Sequence, residues 1–252
     1  MNTSFLRSIA LRPELVADST KYPYSIPAIR ALGTLKFNPK VTFFMGENGS
    51  GKSTLLEAVA LALGFNSEGG SRNFRFATRR SESDLWRCLR VVKGVGRPRT
   101  GYFYRGESFF NVATEIERLD EGGGGPPLID SYGGMSLHER SHGEAVLALV
   151  KNRFGEQGLY LMDEPEAALS PSRQLELLRL IRERVRQGCQ FVIATHSPIL
   201  LAYPGALLYE LFEHGIRPRR YEETEHVQLT RAFLNDPEGF LDTFFDVEEG
   251  SR

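Results

Sequence analysis

Gly46-Glu47-Asn48-Gly49-Ser50-Gly51-Lys52-Ser53, followed by Thr54, has the spacing G-x-x-x-x-G-K-[ST]. Glycines let a backbone curl until its N–H groups point inward, and a helix leaving such a loop turns its positive end the same way. A chain of phosphates is the anion this cradle suits. Lys52 is expected to reach the β- and γ-phosphates of a nucleoside triphosphate, and the Ser53 hydroxyl to ligate Mg²⁺. Two further places carry chemistry. Leu159-Tyr160-Leu161-Met162 runs into Asp163 and Glu164, and Gln190–Ala194 runs into Thr195, His196 and Ser197. Side chains alternate along a strand, so Asp163 and Glu164 are expected to leave in different directions. Asp163 then serves the metal, and Glu164 orients or deprotonates an attacking water. His196, at the end of a core strand, is expected at the γ-phosphate or at that water.

Elements must bring these residues to one place. Val41-Thr42-Phe43-Phe44-Met45 reads as a buried strand entering the glycine loop, and Leu55–Leu63 as the helix leaving it, with Gly64 as its stop. Upstream, Phe5–Leu11 reads as an edge strand and Leu35-Lys36-Phe37 as a short one. Tyr22, Tyr24 and Phe37 are the aromatics available to stack on a base. Thr100–Tyr104 alternates into a strand that ends at Arg105-Gly106-Glu107-Ser108, and Phe109–Leu119 is predicted helical. Ser141-His142-Gly143-Glu144 precedes the apolar helix Ala145–Val150. A serine and a glycine there can cap the helix and present N–H groups to an anion. Arg173–Arg186 is a long helix with Leu175, Leu177, Leu178, Leu180 and Ile181 mostly on one face. A last strand or two starts near Leu207, and 228–235 and 238–245 suggest two short helices.

At 252 residues, with 41% apolar and 25% charged residues, the chain suits a globular α/β domain. Cys88 and Cys189 make neither a metal spacing nor a disulfide framework, and no apolar run reaches the length of a membrane span. A cytoplasmic protein without direct membrane insertion is the expectation. The net charge of −1 conceals an asymmetry. Between Arg72 and Arg105 ten positive residues (Arg72, Arg75, Arg79, Arg80, Arg87, Arg90, Lys93, Arg97, Arg99 and Arg105) face only Glu82 and Asp84. This stretch is either a nucleic-acid surface, with Phe74, Phe76 and Trp86 as stacking groups, or a face compensated elsewhere in the fold. Glu121-Gly122-Gly123-Gly124-Gly125-Pro126-Pro127 interrupts the chain as an arm boundary, a lid or a tolerant surface loop.

Taken in this order, the motifs resemble the ABC-type ATPases of chromosome-maintenance, double-strand-break-repair and RecF-like heads, especially small stand-alone bacterial members. The resemblance covers residues 1–245. It likens Gly46–Thr54 to the Walker A loop, Met162–Pro165 to the end of Walker B, Ala168-Leu169-Ser170 to the D-loop and Thr195-His196 to the switch histidine. Ser141–Glu144 is similar to the core of the signature motif, with His142 where transporter ATPases carry the first glycine. Glu107 stands where the family places a metal-contacting glutamine. The resemblance implies a single α/β domain over 1–252: a P-loop NTPase with a mostly parallel core sheet, an N-terminal antiparallel β subdomain and a short helical arm at about 66–140. Only 87 residues separate Ser53 from Ser141, too few for a long coiled coil. It further implies ATP and Mg²⁺ as ligands, with Ser53, Asp163 and Glu107 at the metal. A head-to-tail homodimer is implied too, in which Ser141 and Gly143 of one copy close on the triphosphate of the other. Three functions follow: an ATP-driven dimer switch acting on nucleic acid or a partner protein, the ATP-hydrolysing subunit of a membrane transporter, or a regulatory or defence ATPase controlling a separate effector. The altered signature, Glu107 and the Ser197-Pro198 pair after His196 favour the first.

Overall fold

Three segments, Val41–Met45, Gly158–Asp163 and Gln190–Ala194, are buried from end to end. Strands covered on both faces read as such unbroken apolar runs. The computed structural model describes residues 4–72, 83–121 and 125–249. In chain order, β1 (Leu6–Leu11) precedes α1 (Pro27–Arg30), β2 (Thr34–Lys36), β3 (Val41–Met45) and α2 (Lys52–Ala62). Next come α3 (Leu85–Cys88), β4 (Leu89–Lys93), β5 (Thr100–Arg105) and α4 (Phe109–Glu121). Then α5 (His142–Ala148) continues into a π-helical turn, Leu149–Arg153, ahead of β6 (Gly158–Asp163), α6 (Pro171–Arg186), β7 (Gln190–Ala194) and α7 (Pro198–Leu201). The described chain closes with β8 (Leu207–Phe212), β9 (Gly215–Arg219), α8 (Glu225–Asn235) and α9 (Pro237–Glu249).

The main sheet has the order β5-β6-β7-β3-β8-β9; its first five strands are parallel and β9 is an antiparallel edge. Alternation along the central strands builds two cores. Val41, Phe43, Tyr160, Met162, Phe191 and Ile193 face one side, where α5, the π-helical turn and α6 contribute Val146, Leu149, Leu177 and Ile181. Phe44, Leu159, Leu161 and Val192 face the other, against Leu55, Leu56 and Val59 of α2. Each such side chain contributes roughly 1.5–3 kcal/mol by leaving water. In α6, Leu177, Leu180 and Ile181 are buried, whereas Leu175 lies off the apolar stripe and is 60% exposed.

The smaller sheet is antiparallel, with the order β2-β1-β4. β1 is therefore its middle strand, not an edge. Its second partner, β4, comes from the arginine-rich stretch and places Leu89 and Val91 on the core side. Gln190 joins the two sheets. Wholly buried, its side-chain amide accepts from Phe5 N (2.9 Å) and Leu6 N (2.8 Å) and donates to the Leu6 and Asn38 carbonyls (2.8 and 2.9 Å).

The glycine run is crossed by Asp120, whose carboxylate accepts the Leu128 and Ile129 N–H groups beyond it.

Candidate nucleotide site

The glycine loop leaves β3 at its carboxyl end, the edge of a parallel sheet where ligands gather. Gly46 has φ +138°, and a Cβ built on it would lie 2.2 Å from the Leu211 carbonyl oxygen, so no larger residue fits the turn. Gly51 precedes α2 in the left-handed region, and among the described residues no side chain caps the helix. Its first N–H groups are left to a ligand. Lys52, 4% exposed, donates Nζ protons to the Gly46 and Glu47 carbonyls at 3.0 and 2.9 Å. An ammonium has three protons, so one remains for a ligand oxygen. Burial pulls its pKa down, opposed by the charges of Glu164, Asp163 and Glu166. The Ser50 hydroxyl is buried without a partner among the described residues.

Asp163, at the end of β6, is 7% exposed and accepts the Ser53 hydroxyl at 3.0 Å. Burial pushes its carboxyl up to about 7, with the Ser53 hydrogen bond opposing and Glu164 adding to the rise. Glu164 lies beyond the strand, with φ +46°. The alternation expected of strand side chains therefore does not apply to it. Its N–H donates to the Ala194 carbonyl at 2.9 Å, and its carboxylate, 43% exposed, stands 3.5 Å from His196 Nε2. Burial and the Lys52 charge hold His196 below the ordinary histidine range, against Glu164.

Glu166 escaped the sequence reading. One of its oxygens accepts both the Thr195 hydroxyl (2.6 Å) and the His196 N–H (2.7 Å), tying the turn after β6 to the end of β7. Burial pushes its carboxyl up. Its neighbours gave no signal, since Ala167 and Ala168 are exposed; the contacts that use Glu166 come from the end of another strand.

Of the three aromatics, Tyr24 is buried, its hydroxyl 3.0 Å from the Asp84 carboxylate and 3.1 Å from Cys88 Sγ. Phe37 is buried against Phe44. Tyr22 alone of the three stays exposed beside the loop, its hydroxyl 3.2 Å from that of Thr54. It lines a cavity of about 200 Å³ with Asn48, Gly49, Lys52, Ser53 and Glu164.

Glu107 follows β5, whose Arg105 pairs in register with Asp163. Its carboxylate is 85% exposed and turned to Arg105 at 3.4 Å, while Arg105 also holds Glu57 at 2.8 Å. Ser141 caps α5 in a reciprocal box with Glu144, which pairs with Arg173 at 3.0 Å. Gly143 packs where a Cβ would sit 2.6 Å from the Ala168 carbonyl, so the signature-like turn rests on the D-loop-like turn. His142 meets the Phe110 ring edge-on at 4.3 Å. Among the described residues, no hydrogen bond or ion pair joins 141–144 to 46–54.

The arginine-rich stretch divides. Arg72 lies over Phe65, Arg87 over Trp86, and Arg105 is paired, whereas Arg90, Lys93, Arg97 and Arg99 are exposed. Phe74, Arg75, Phe76, Arg79, Arg80 and Glu82 lie outside the described residues. No described helix is long and apolar enough to cross a membrane.

Two family models match the chain: one described as "AAA domain" over residues 28–117, and one described as "AAA domain, putative AbiEii toxin, Type IV TA system" over residues 136–202. The ribose import ATP-binding protein RbsA of Yersinia pestis is 26% identical over 227 residues, covering 82% of this chain and 41% of that protein. The hemin import ATP-binding protein HmuV of Deinococcus radiodurans is 28% identical over 200 residues, covering 73% of this chain and 76% of that protein. The chain spans less than half the length of the first curated relatives that it matches. A nucleotide-free ATP-binding cassette from an ABC transporter shares the fold, with a TM-score of 0.51 at 20% identity, over 93% of this chain and 96% of that one.

Proposed function

We propose that this chain, a P-loop ATPase of the ABC type, hydrolyses ATP between two copies that close and open with the state of the nucleotide. One observation carries the reading: Lys52, Ser53, Asp163, Glu164 and His196 gather at the carboxyl end of one sheet. The cradle suits the triphosphate, with uncapped helix N–H groups, a spare Lys52 proton and the unpartnered Ser50 hydroxyl. Tyr22 is the platform for the base. The donors also suit Mg²⁺, which takes oxygen ligands and would relieve the buried charge of Asp163. Ser53 and Asp163 would hold the ion, with Glu107 swinging in from Arg105, and the ion would neutralise charge developing on the phosphate oxygens.

The protein's own groups do the rest. Lys52 holds the phosphoryl oxygens, and Glu164 orients the attacking water and takes its proton. His196 presents Nε2 toward the γ-phosphate. Ser141 and Gly143 come from the second copy, completing the donors around the developing charge and excluding water. Closure would then act on nucleic acid through exposed Arg90, Lys93, Arg97 and Arg99, or on a partner or effector protein. The likeness to RbsA and HmuV, both import ATP-binding proteins, supports a second reading, the ATPase subunit of a transporter, which predicts stable association with a membrane protein.

Glu164→Gln tests the reading. It should still bind ATP and favour the dimer on size-exclusion chromatography, while turnover falls by about 100-fold or more. Hydrolysis at the parental rate would remove Glu164 from its role. ATPase assays with and without DNA or RNA across a salt series separate the couplings, because stimulation through phosphate contacts weakens with salt.

A further inference from the structure

We propose that His226, in the first turn of α8, is a positioning residue for His196 and ties the ATP site to the C-terminal pair of helices. The inference rests on the reading that His196 acts at the γ-phosphate. His196 Nδ1 and His226 Nε2 are 3.3 Å apart, with ring centroids 5.4 Å apart and planes at 56°, so the rings meet through their nitrogens and do not stack. Between two imidazole nitrogens at this distance, one must donate and the other accept. The choice fixes the far side of His196. A donor from Nε2 toward a phosphate oxygen requires a proton on Nε2 and a lone pair on Nδ1. His226 then donates its Nε2–H to that lone pair. A partner on one ring nitrogen setting the tautomer of the other is the usual way in which an outer residue tunes an imidazole.

His226 is itself held in place. The flanking Thr224 is wholly buried and Val227 is 4% exposed. The Thr224 hydroxyl donates to the Tyr221 carbonyl at 2.9 Å, and the Tyr221 hydroxyl donates to the Pro198 carbonyl at 3.2 Å, two residues beyond His196. The Thr224 bond is local to the base of α8, and the Tyr221–Pro198 bond ties that base to the segment carrying His196 beside the His226–His196 contact. Beyond this base the two helices expose apolar side chains: Leu229, Leu234, Phe244 and Phe245 are each more than half exposed. Displacement of α8 would be felt at His196 through one hydrogen bond.

The experiment compares His226→Phe, which keeps a ring but has no N–H, with His226→Gln, whose amide N–H reaches a similar position. With the full chain and Mg-ATP, His226→Phe should lower kcat about tenfold while KM and ATP affinity stay within about twofold; Gln should recover most of the loss. The double variant with His196→Ala should be no slower than His196→Ala alone. Imidazole ¹⁵N spectra should place the proton of His196 on Nε2 in the parent and spread it over both nitrogens in His226→Phe. Parental kcat in His226→Phe, no recovery by Gln, additive losses, or unchanged spectra would overturn the proposal. If His196→Ala itself hydrolyses ATP at the parental rate, the reading of His196 fails first and the proposal falls with it.

Discussion

The glycine loop and the signature-like turn are built in opposite ways. Around the loop, Lys52 and Asp163 are nearly sealed from water, and Ser53 and Asp163 already touch. At the turn, Ser141, His142 and Glu144 are exposed, and Glu144 holds its place by surface hydrogen bonds and one ion pair. Only Gly143 is buried there, and it packs against the Ala168 carbonyl. Burial keeps the first region in a fixed geometry without its ligand. Exposure leaves the second available to another molecule.

The largest effect expected from this contrast is that of Lys52→Ala. Removing a buried cation with charge-assisted bonds should weaken ATP binding about 100-fold in calorimetric titration. Ser141→Arg should come next and behave differently. Affinity of the single chain for ATP should stay within about twofold, while turnover falls about tenfold to 100-fold as the donor set across the proposed dimer is spoiled. Equal loss of affinity in both variants would break the contrast.

The smallest effect belongs to Glu144. Its carboxyl is held down at about 2 by the Ser141 hydrogen bond and by Arg173, below its ordinary 4.5. A lowered folded-state pKa contributes stability above 4.5 that is lost as pH falls from there toward 2. Glu144→Gln keeps an acceptor for the Ser141 N–H but not the charge facing Arg173. Its Tm should trail the parent by no more than about 2 °C at pH 7, and the gap should close between pH 4.5 and 2. A gap that widened in acid would contradict this assignment.

The strands that carry the site were legible because a sheet covered on both faces leaves an unbroken apolar record. Val41–Met45, Leu159–Met162 and Gln190–Ala194 could be read in that way, and the residues after them followed. What stayed hidden depended on contacts distant in sequence. β4 lies among arginines, so its alternating Leu89 and Val91 were masked, and β1 was mistaken for an edge. Glu164 enters the left-handed region, which a strand-parity argument does not anticipate. Tyr22, Tyr24 and Phe37 have similar surroundings in sequence; only tertiary packing buries two and leaves the third beside Thr54. Glu166 required knowing that Thr195 and His196 come within bonding distance of the preceding strand's turn.

The amide of Gln190 clasps β1 much as a neighbouring strand would, yet it belongs to the middle of the parallel sheet. Sliding one layer past the other would break three buried bonds at once. One side chain thus makes the small antiparallel sheet and the middle of the parallel sheet move as a unit.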